Sequence, residues 1–265
     1  MNPLVPPRAP VTEEELLDVE PGDPREIAEC LDELARVNRL LGGRRATVAH
    51  LEPLLRAAGT RRVSVLDVAA GGGDMAFAMS AWAARRGWSL RFTLLDRHPI
   101  VLDLAGHRAP AGAVRVRADA VSLPFADGAF DVCVTSLFFH HLERDAAAAV
   151  LREMSRVARV GVLVNDLVRD RVALGWFRLL SRLFSRNRLV LHDGPVSVRR
   201  AWRPEDFRRL AVETGLDPWE VRRHFPYRMT LAGFVSGGRA SRRVRAADGA
   251  PGPARRDSPA AARPS

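Results

Sequence analysis

The stretch VLDVAAGGGDMA, residues 65–76, limits the possible folds more than any other part of the chain. It continues VSVLDV (63–68), a short apolar, β-branched run of the kind that forms a strand buried on both faces. Three consecutive glycines follow, and then a helical pattern. A strand passing through a glycine turn into a helix is a building unit of parallel α/β sheets. Such a turn also lets the backbone approach a ligand closely, at a helix N-terminus that favours polar groups.

The pattern repeats downstream. Strand-like runs RFTLLD (91–96), AVRVRA (113–118), FDVCVTS (130–136) and VGVLVND (160–166) are separated by helical periodicity near 74–86, 98–106 and 143–156. The alternation predicts an α/β fold with a mostly parallel sheet covered by helices on both faces. Upstream, Ile27, Cys30, Leu31, Leu34, Val37, Leu40 and Leu41 recur at helical spacing from Pro24, and Gly42-Gly43 ends that helix. A second helix is expected over about 45–58. Downstream lie a long helical segment (171–185), an irregular one (186–201), a helix opened by Pro204 and closed at Gly215, and two final strands, WEVRRHFP and YRMTLAGF. The organisation expected is a Pro-rich flexible segment over 1–22, holding a short helix opened by the capping box Thr12-x-x-Glu15. A single domain follows over 23–235, then a disordered Arg/Pro/Ala-rich tail over 236–265.

A chain of 265 residues suffices for one domain with a sizeable core. No apolar run approaches the roughly 20 residues of a membrane span, and the N-terminus lacks the apolar centre of a secretory signal. Cys30 and Cys133 stand far apart and fit buried thiols in a reducing cytoplasm rather than a disulfide framework. The net charge of +10 suggests nucleic acid, but the chain has no lysine, and seven of its arginines crowd the tail after Val235 against two aspartates. Arginine-only usage alongside abundant Ala and Pro fits codon bias better than phosphate recognition, which argues against a nucleic-acid partner.

Gly71-x-Gly73-x-x-Ala76 matches the dinucleotide fingerprint. Three carboxylates refine that reading. Asp67 precedes Gly71 by four residues, where a negative charge opposes a pyrophosphate and suits a ligand carrying an ammonium group. Asp96 ends the second strand, in position to accept hydrogen bonds from ribose hydroxyls. Asp119 lies just past the third strand and can accept from an adenine amino group, with Leu123 and Phe125 nearby in sequence.

VLDVAAGGGDMA, LLDRH and RADAVSLPFADGAFDVCVTSLFFHHL together resemble the successive motifs of the class I S-adenosylmethionine-dependent methyltransferases, over about Val63 to Asp166. The family pattern is acidic-x-Gly-x-Gly-x-Gly, and Ala69 stands at its first glycine. The resemblance implies a Rossmann-like seven-stranded sheet of order 3-2-1-4-5-7-6 with strand 7 antiparallel. It implies S-adenosylmethionine as cofactor. Asp67, Ala69 and the Gly71–Gly73 backbone would hold the methionine moiety, Asp96 the ribose, and Arg97 would lie beside the adenine. Asp119 and the Ala120 backbone would read the adenine edge, with Ser136 completing the set. The flank LARVNRLLGGRRATVAHL is similar to quinone-ring methyltransferases, and NDLVRD…LVLHDGPVSVRRAWRPEDF resembles methyltransferases of type III polyketide and phenolic-lipid pathways.

The function these resemblances imply is in-line methyl transfer to a phenolic or quinone-like oxygen or carbon of an aromatic or lipid-like small molecule. A phenol has a pKa near 10, so a base helps. His140 and His141, after the fourth strand, are candidates, with a structural or cofactor-shell role as the alternative. His192 and Asp193 form a second candidate pair in a loop, where Asp193 can instead make an Asx turn with Gly194. Asn165-Asp166 is expected to face the same cleft. No His/Cys/carboxylate group has metal-ligand spacing, so no metal is expected. The segment 171–186, basic and apolar by turns, reads as a lid, as an ordinary helix, or as a peripheral membrane contact. The alternatives are an RNA methyltransferase and an NAD-dependent oxidoreductase. The absence of lysine rules out a Tyr-x-x-x-Lys site for the latter.

Overall fold

The computed structural model describes residues 15–16, 23–170, 174–175, 185 and 187–236. The expected lid or membrane-contact segment and the arginine-rich tail lie almost wholly outside the described residues. Two helices, α1 (Pro24–Leu40) and α2 (Gly43–Ala57), precede the sheet. The order then runs β1 (Arg62–Val68), α3 (Asp74–Ala84), β2 (Ser89–Asp96), α4 (Pro99–Gly106), β3 (Val114–Arg117), β4 (Phe130–Ser136), a one-turn 3-10 helix (Phe139–His141), α5 (Arg144–Val157), β5 (Ala158–Leu167), α6 (Arg188–Arg200), α7 (Pro204–Glu213), β6 (Leu216–His224) and β7 (Arg228–Val235).

Among the described residues the strands form one seven-stranded sheet of order β3-β2-β1-β4-β5-β7-β6. β1 to β5 pair in parallel, and β7 runs antiparallel to both its neighbours, as the motif resemblance implies. The period-2 alternation of β1 explains the two layers of helices. Leu66 and Val68 pack into a core with Leu151, Met154 and Phe207 on one side of the sheet. Val63 and Val65 pack into a second core with Leu51, Leu55 and Met79 on the other. A strand buried on both faces cannot alternate apolar with polar residues, which is why β1 reads as a continuous apolar run.

α1 starts at Asp23, whose side chain accepts from the Arg25 N–H at 2.9 Å. The helix ends before Gly42, whose φ of 76° turns the chain into α2. α2 then lies across β5 and β7.

One element differs from expectation. Residues expected to be irregular (186–201) form α6. The Asn187 side chain caps it, accepting from the Leu189 and Val190 N–H groups at 2.9 and 3.4 Å. Leu189 and Val190 are buried with Cys30 of α1. Pro195 forfeits its own backbone hydrogen bond, a cost the packed face outweighs. No described helix is long and apolar enough to cross a membrane.

Candidate active site

The C-terminal ends of the parallel strands open into a cavity of about 500 Å³. Parallel α/β sheets place ligands there because the loops leaving the strands diverge at that edge. The glycine loop forms one wall. Ala69, Gly71 and Gly73 take φ values of 54°, 53° and 74°. A Cβ on Gly71 would point into open space, whereas one on Gly73 would sit 3.2 Å from the Ala105 carbonyl oxygen of α4. Gly73 is therefore required by close packing, and Gly71 only by its backbone conformation. Ala69 adopts the left-handed conformation that a glycine would take without strain.

Asp96 ties two loops together. Its Oδ2 accepts from the Gly71 N–H at 3.1 Å, and its Oδ1 from the His98 N–H at 3.0 Å. Burial pushes its pKa up despite these two bonds. Asp67 is 1% exposed, and its Oδ2 has no hydrogen-bond partner among the described residues. Burial, with Asp74 and Asp96 adding like charge, pushes Asp67 up to about 8. Ser136 contributes a second buried oxygen without a partner among the described residues. Asp119 folds its own turn by accepting from the Val121 N–H at 3.0 Å, and with Arg97 and Ala120 it lines the cavity. The cofactor-binding residues expected from the motifs, except Gly73, thus border one continuous space: Asp67, Ala69, Gly71, Asp96, Arg97, Asp119, Ala120 and Ser136. Leu137 also lines it, at φ 57°, and its N–H donates to the Asn165 carbonyl at 2.9 Å.

The opposite wall holds the histidines. His140 is buried, and Asp166 grips it twice. Its backbone N–H donates to Asp166 Oδ2 at 3.0 Å and its Nδ1 to Asp166 Oδ1 at 2.7 Å. Glu15 completes the group, with Oε1 3.5 Å from His140 Nε2 and Oε2 3.7 Å from His141 Nε2. Ser197 Oγ donates to Glu15 Oε1 at 2.6 Å. Arg200 donates to the carbonyl oxygens of both histidines, at 3.0 and 2.6 Å. Burial opposes a charged imidazole at His140, but the charges and hydrogen bonds of Asp166 and Glu15 prevail and raise its pKa well above the ordinary value.

Three expectations are corrected here. His192 and Asp193 lie inside α6, so Asp193 makes no loop Asx turn with Gly194. Asp193 borders the cavity, where its Oδ1 accepts from the Leu16 N–H at 2.8 Å, but His192 is not among the lining residues and binds Asp193 at 2.9 Å. Asn165 faces away from the cleft and donates to the Gly43 carbonyl and Thr47 Oγ, locking β5 to α2. Asp166 reaches the cleft only through His140.

Sequence reasoning missed Glu15 and Arg228. Glu15 read as a helix-capping residue of a separate segment, yet it is 5% exposed inside the cleft. Arg228, the first residue of β7, is 2% exposed and borders the cavity, with Nη2 on Asn38 Oδ1 at 2.7 Å and Nη1 without a partner among the described residues. Neither position carries a local motif that points to the cleft.

Comparison with known proteins places this geometry. A family model described as a methyltransferase domain matches residues 66–164. An uncharacterized methyltransferase of Mycobacterium sp. (strain JLS) is 40% identical over 100 residues, covering 38% of this chain and 36% of that protein. A demethylmenaquinone methyltransferase of Roseiflexus castenholzii is 37% identical over 103 residues, covering 38% and 41%. The chain thus spans about two fifths of the length of these relatives. The crystal structure of a SAM-dependent methyltransferase from Aquifex aeolicus superposes with a TM-score of 0.55 at 17% identity, covering 81% of this chain and 99% of that one, a likeness of fold. Residues 66–164 thus carry the match to a methyltransferase domain, on the sheet order that the motif resemblance to class I S-adenosylmethionine-dependent methyltransferases implies.

Proposed function

We propose that the cleft binds S-adenosylmethionine and that the protein transfers its methyl group to a phenolic or quinone-like oxygen or carbon of a small aromatic or lipid-like molecule. The observation that carries this reading is the single cavity that both walls share, with the Asp67–Asp96–Asp119 carboxylates on one side and the Glu15–His140–His141 group on the other. Bound there, the cofactor supplies an electrophilic methyl group on a sulfonium.

The residues of the chain divide the remaining work. Asp67 and Ser136 offer oxygens to an ammonium group, Asp96 to ribose hydroxyls, and Asp119 to an adenine amino group. Leu34, Val37, Phe138, Leu142, Leu189 and Val190 border the same cavity and exclude water from an apolar ring. Holding donor and acceptor in line supplies much of the acceleration. A phenolic proton, with a pKa near 10, has the buried carboxylate–imidazole group as its acceptor, and Asp166 holds His140 in position. A recessed cleft with an apolar wall favours a small molecule over RNA. The relatives named for demethylmenaquinone support a ring acceptor. The buried free thiols of Cys30 and Cys133 fit a reducing cytoplasm.

Calorimetric titration with S-adenosylmethionine and, separately, with NAD tests the cofactor. Saturable binding of the first alone is expected, and binding of NAD alone overturns the reading. Phenolic and quinol acceptors are then screened with labelled cofactor for transfer of the label.

A further inference from the structure

We infer that Glu15, His140 and His141 form a binding site for one divalent transition-metal ion of the zinc type, which holds and activates the acceptor oxygen. The inference deepens the reading of the cleft as a methyl-transfer site and rests on it for the role of the ion, though not for its binding.

The geometry is that of a two-histidine, one-carboxylate set. The donor atoms all lie within 4.8 Å of one another. His140 Nε2 and Glu15 Oε1 are 3.5 Å apart, and His141 Nε2 and Glu15 Oε2 are 3.7 Å apart. An ion at ordinary zinc distances with tetrahedral angles holds its ligand atoms about 3.4 Å from one another. The two carboxylate–imidazole distances lie within a few tenths of an ångström of that spacing, and the remaining donor pair lies within 4.8 Å. Adjacent histidines converge on one carboxylate because the 3-10 turn Phe139–His141 brings their rings to a centroid distance of 4.3 Å.

The surroundings are those of a ligand set. Asp166 accepts from His140 Nδ1 at 2.7 Å, which keeps one proton on Nδ1 and turns Nε2 to Glu15, where a bound ion would take the place of the second ring proton. A carboxylate behind a metal-binding imidazole orients the ring and raises its basicity. Ser197 holds Glu15 in the same way, at 2.6 Å. Arg200 fixes the turn through both histidine carbonyls. Asp193 also borders the cavity, but its Oδ1 is taken up by Leu16 and His192. Two carboxylates, 5% and 1% exposed, face one pair of imidazoles, a concentration of buried negative charge that a divalent cation offsets. Glu15, His140 and His141 all line the cavity, so a fourth coordination position opens towards the acceptor. Two imidazoles, one carboxylate and an open position match the ligand type and vacancy of catalytic zinc sites.

The ion acts as a Lewis acid. With Glu15, His140 and His141 holding the ion and no longer serving as proton acceptor, the acceptor hydroxyl would bind it and release its proton to solvent, and the oxygen would attack the methyl carbon of the sulfonium. The C–O bond forms as the C–S bond breaks, and the electron pair of that bond stays on sulfur as the neutral thioether. Nothing is oxidised or reduced.

The test uses tag-free, full-length protein stripped with a chelator and titrated with Zn²⁺ and with Co²⁺. One ion per chain is expected, with the intense visible bands of four-coordinate cobalt. Glu15→Gln and His141→Ala should each weaken binding about tenfold or more, and Asp166→Asn by about 10–100-fold. S-adenosylmethionine binding by the same variants, measured in parallel, separates loss of the site from loss of the fold. Failure of the wild-type protein to bind either ion overturns the inference. So does equal binding by wild type and both ligand variants, which would put the ion elsewhere. Methylation that persists unchanged in excess chelator overturns the role given to the ion and leaves the carboxylate–imidazole group as proton acceptor. Stoichiometric metal binding without transfer to any phenolic or quinol acceptor supports the site and counts against the proposed function instead.

Discussion

Asp166, at the end of β5, holds His140 by both its carboxylate oxygens, one on the backbone N–H at 3.0 Å and one on Nδ1 at 2.7 Å. The residue is 1% exposed and does not border the cavity, so it acts through the histidine as a positioning residue. Asp166→Asn is expected to lower turnover about 10–100-fold while S-adenosylmethionine affinity stays unchanged. Steady-state kinetics beside calorimetry checks this, and an equal loss in both would mean that Asp166 serves the fold rather than the reaction.

Asp96 ties two loops together at the edge of the cavity. Its carboxylate accepts from both Gly71 and His98, so Asp96→Ala leaves two backbone N–H groups without their partner. The substitution should weaken S-adenosylmethionine binding by about 1.5–3 kcal/mol and also lower the melting temperature. Unchanged affinity in a destabilised variant would assign Asp96 to the loops alone.

Asp67 is expected to make S-adenosylmethionine affinity depend on pH. Burial, then the charges of Asp74 and Asp96, hold its pKa near 8, so the empty cleft keeps the group protonated at neutral pH. A cationic ligand favours the ionised form, so binding releases a proton and affinity rises with pH up to about 8. Asp67→Asn should flatten that dependence. The sign for the protein without ligand is opposite. An unfolded Asp loses its proton near pH 4 and the folded one near 8, so the contribution of this group to stability falls across that window.

Ala69 sits at φ 54° directly after β1. Left-handed backbone costs a non-glycine residue about 1–2 kcal/mol, part of which a glycine returns through the greater freedom of its unfolded chain. Ala69→Gly is expected to raise stability by about 1 kcal/mol, and denaturant unfolding measures it.

At the far end of the sheet, Asp131 Oδ2 accepts from the Ser64 N–H and Oγ at 2.9 and 3.0 Å, and its Oδ1 pairs with Arg159. Asp131→Ala should cost about 1–3 kcal/mol of stability and leave cofactor affinity unchanged. An effect on affinity would reveal coupling between the two ends of the sheet.

The order and type of the elements from α2 to β5 follow from local pattern, because the apolar alternation, the caps and the glycine turn each act within a few residues. The carboxylates at 67, 96 and 119 were legible for the same reason, since each lies at or just past the C-terminal end of a strand. α6 was not legible. Gly194 and Pro195 argue locally against a helix, and what stabilises it is the Asn187 cap together with the burial of Leu189 and Val190 beside Cys30.

By itself, the sequence determined a parallel sheet carrying a cofactor loop, because strand burial and glycine turns are short-range properties. Only the tertiary structure decided that Glu15 meets His140 and His141, that His192 stays off the cavity, and that Arg228 is buried at its edge. Contacts between Glu15 and a turn more than a hundred residues away leave no periodicity or spacing in the chain. They exist because β4 and β5 lie side by side, and because α6 and Glu15–Leu16 meet beside their ends.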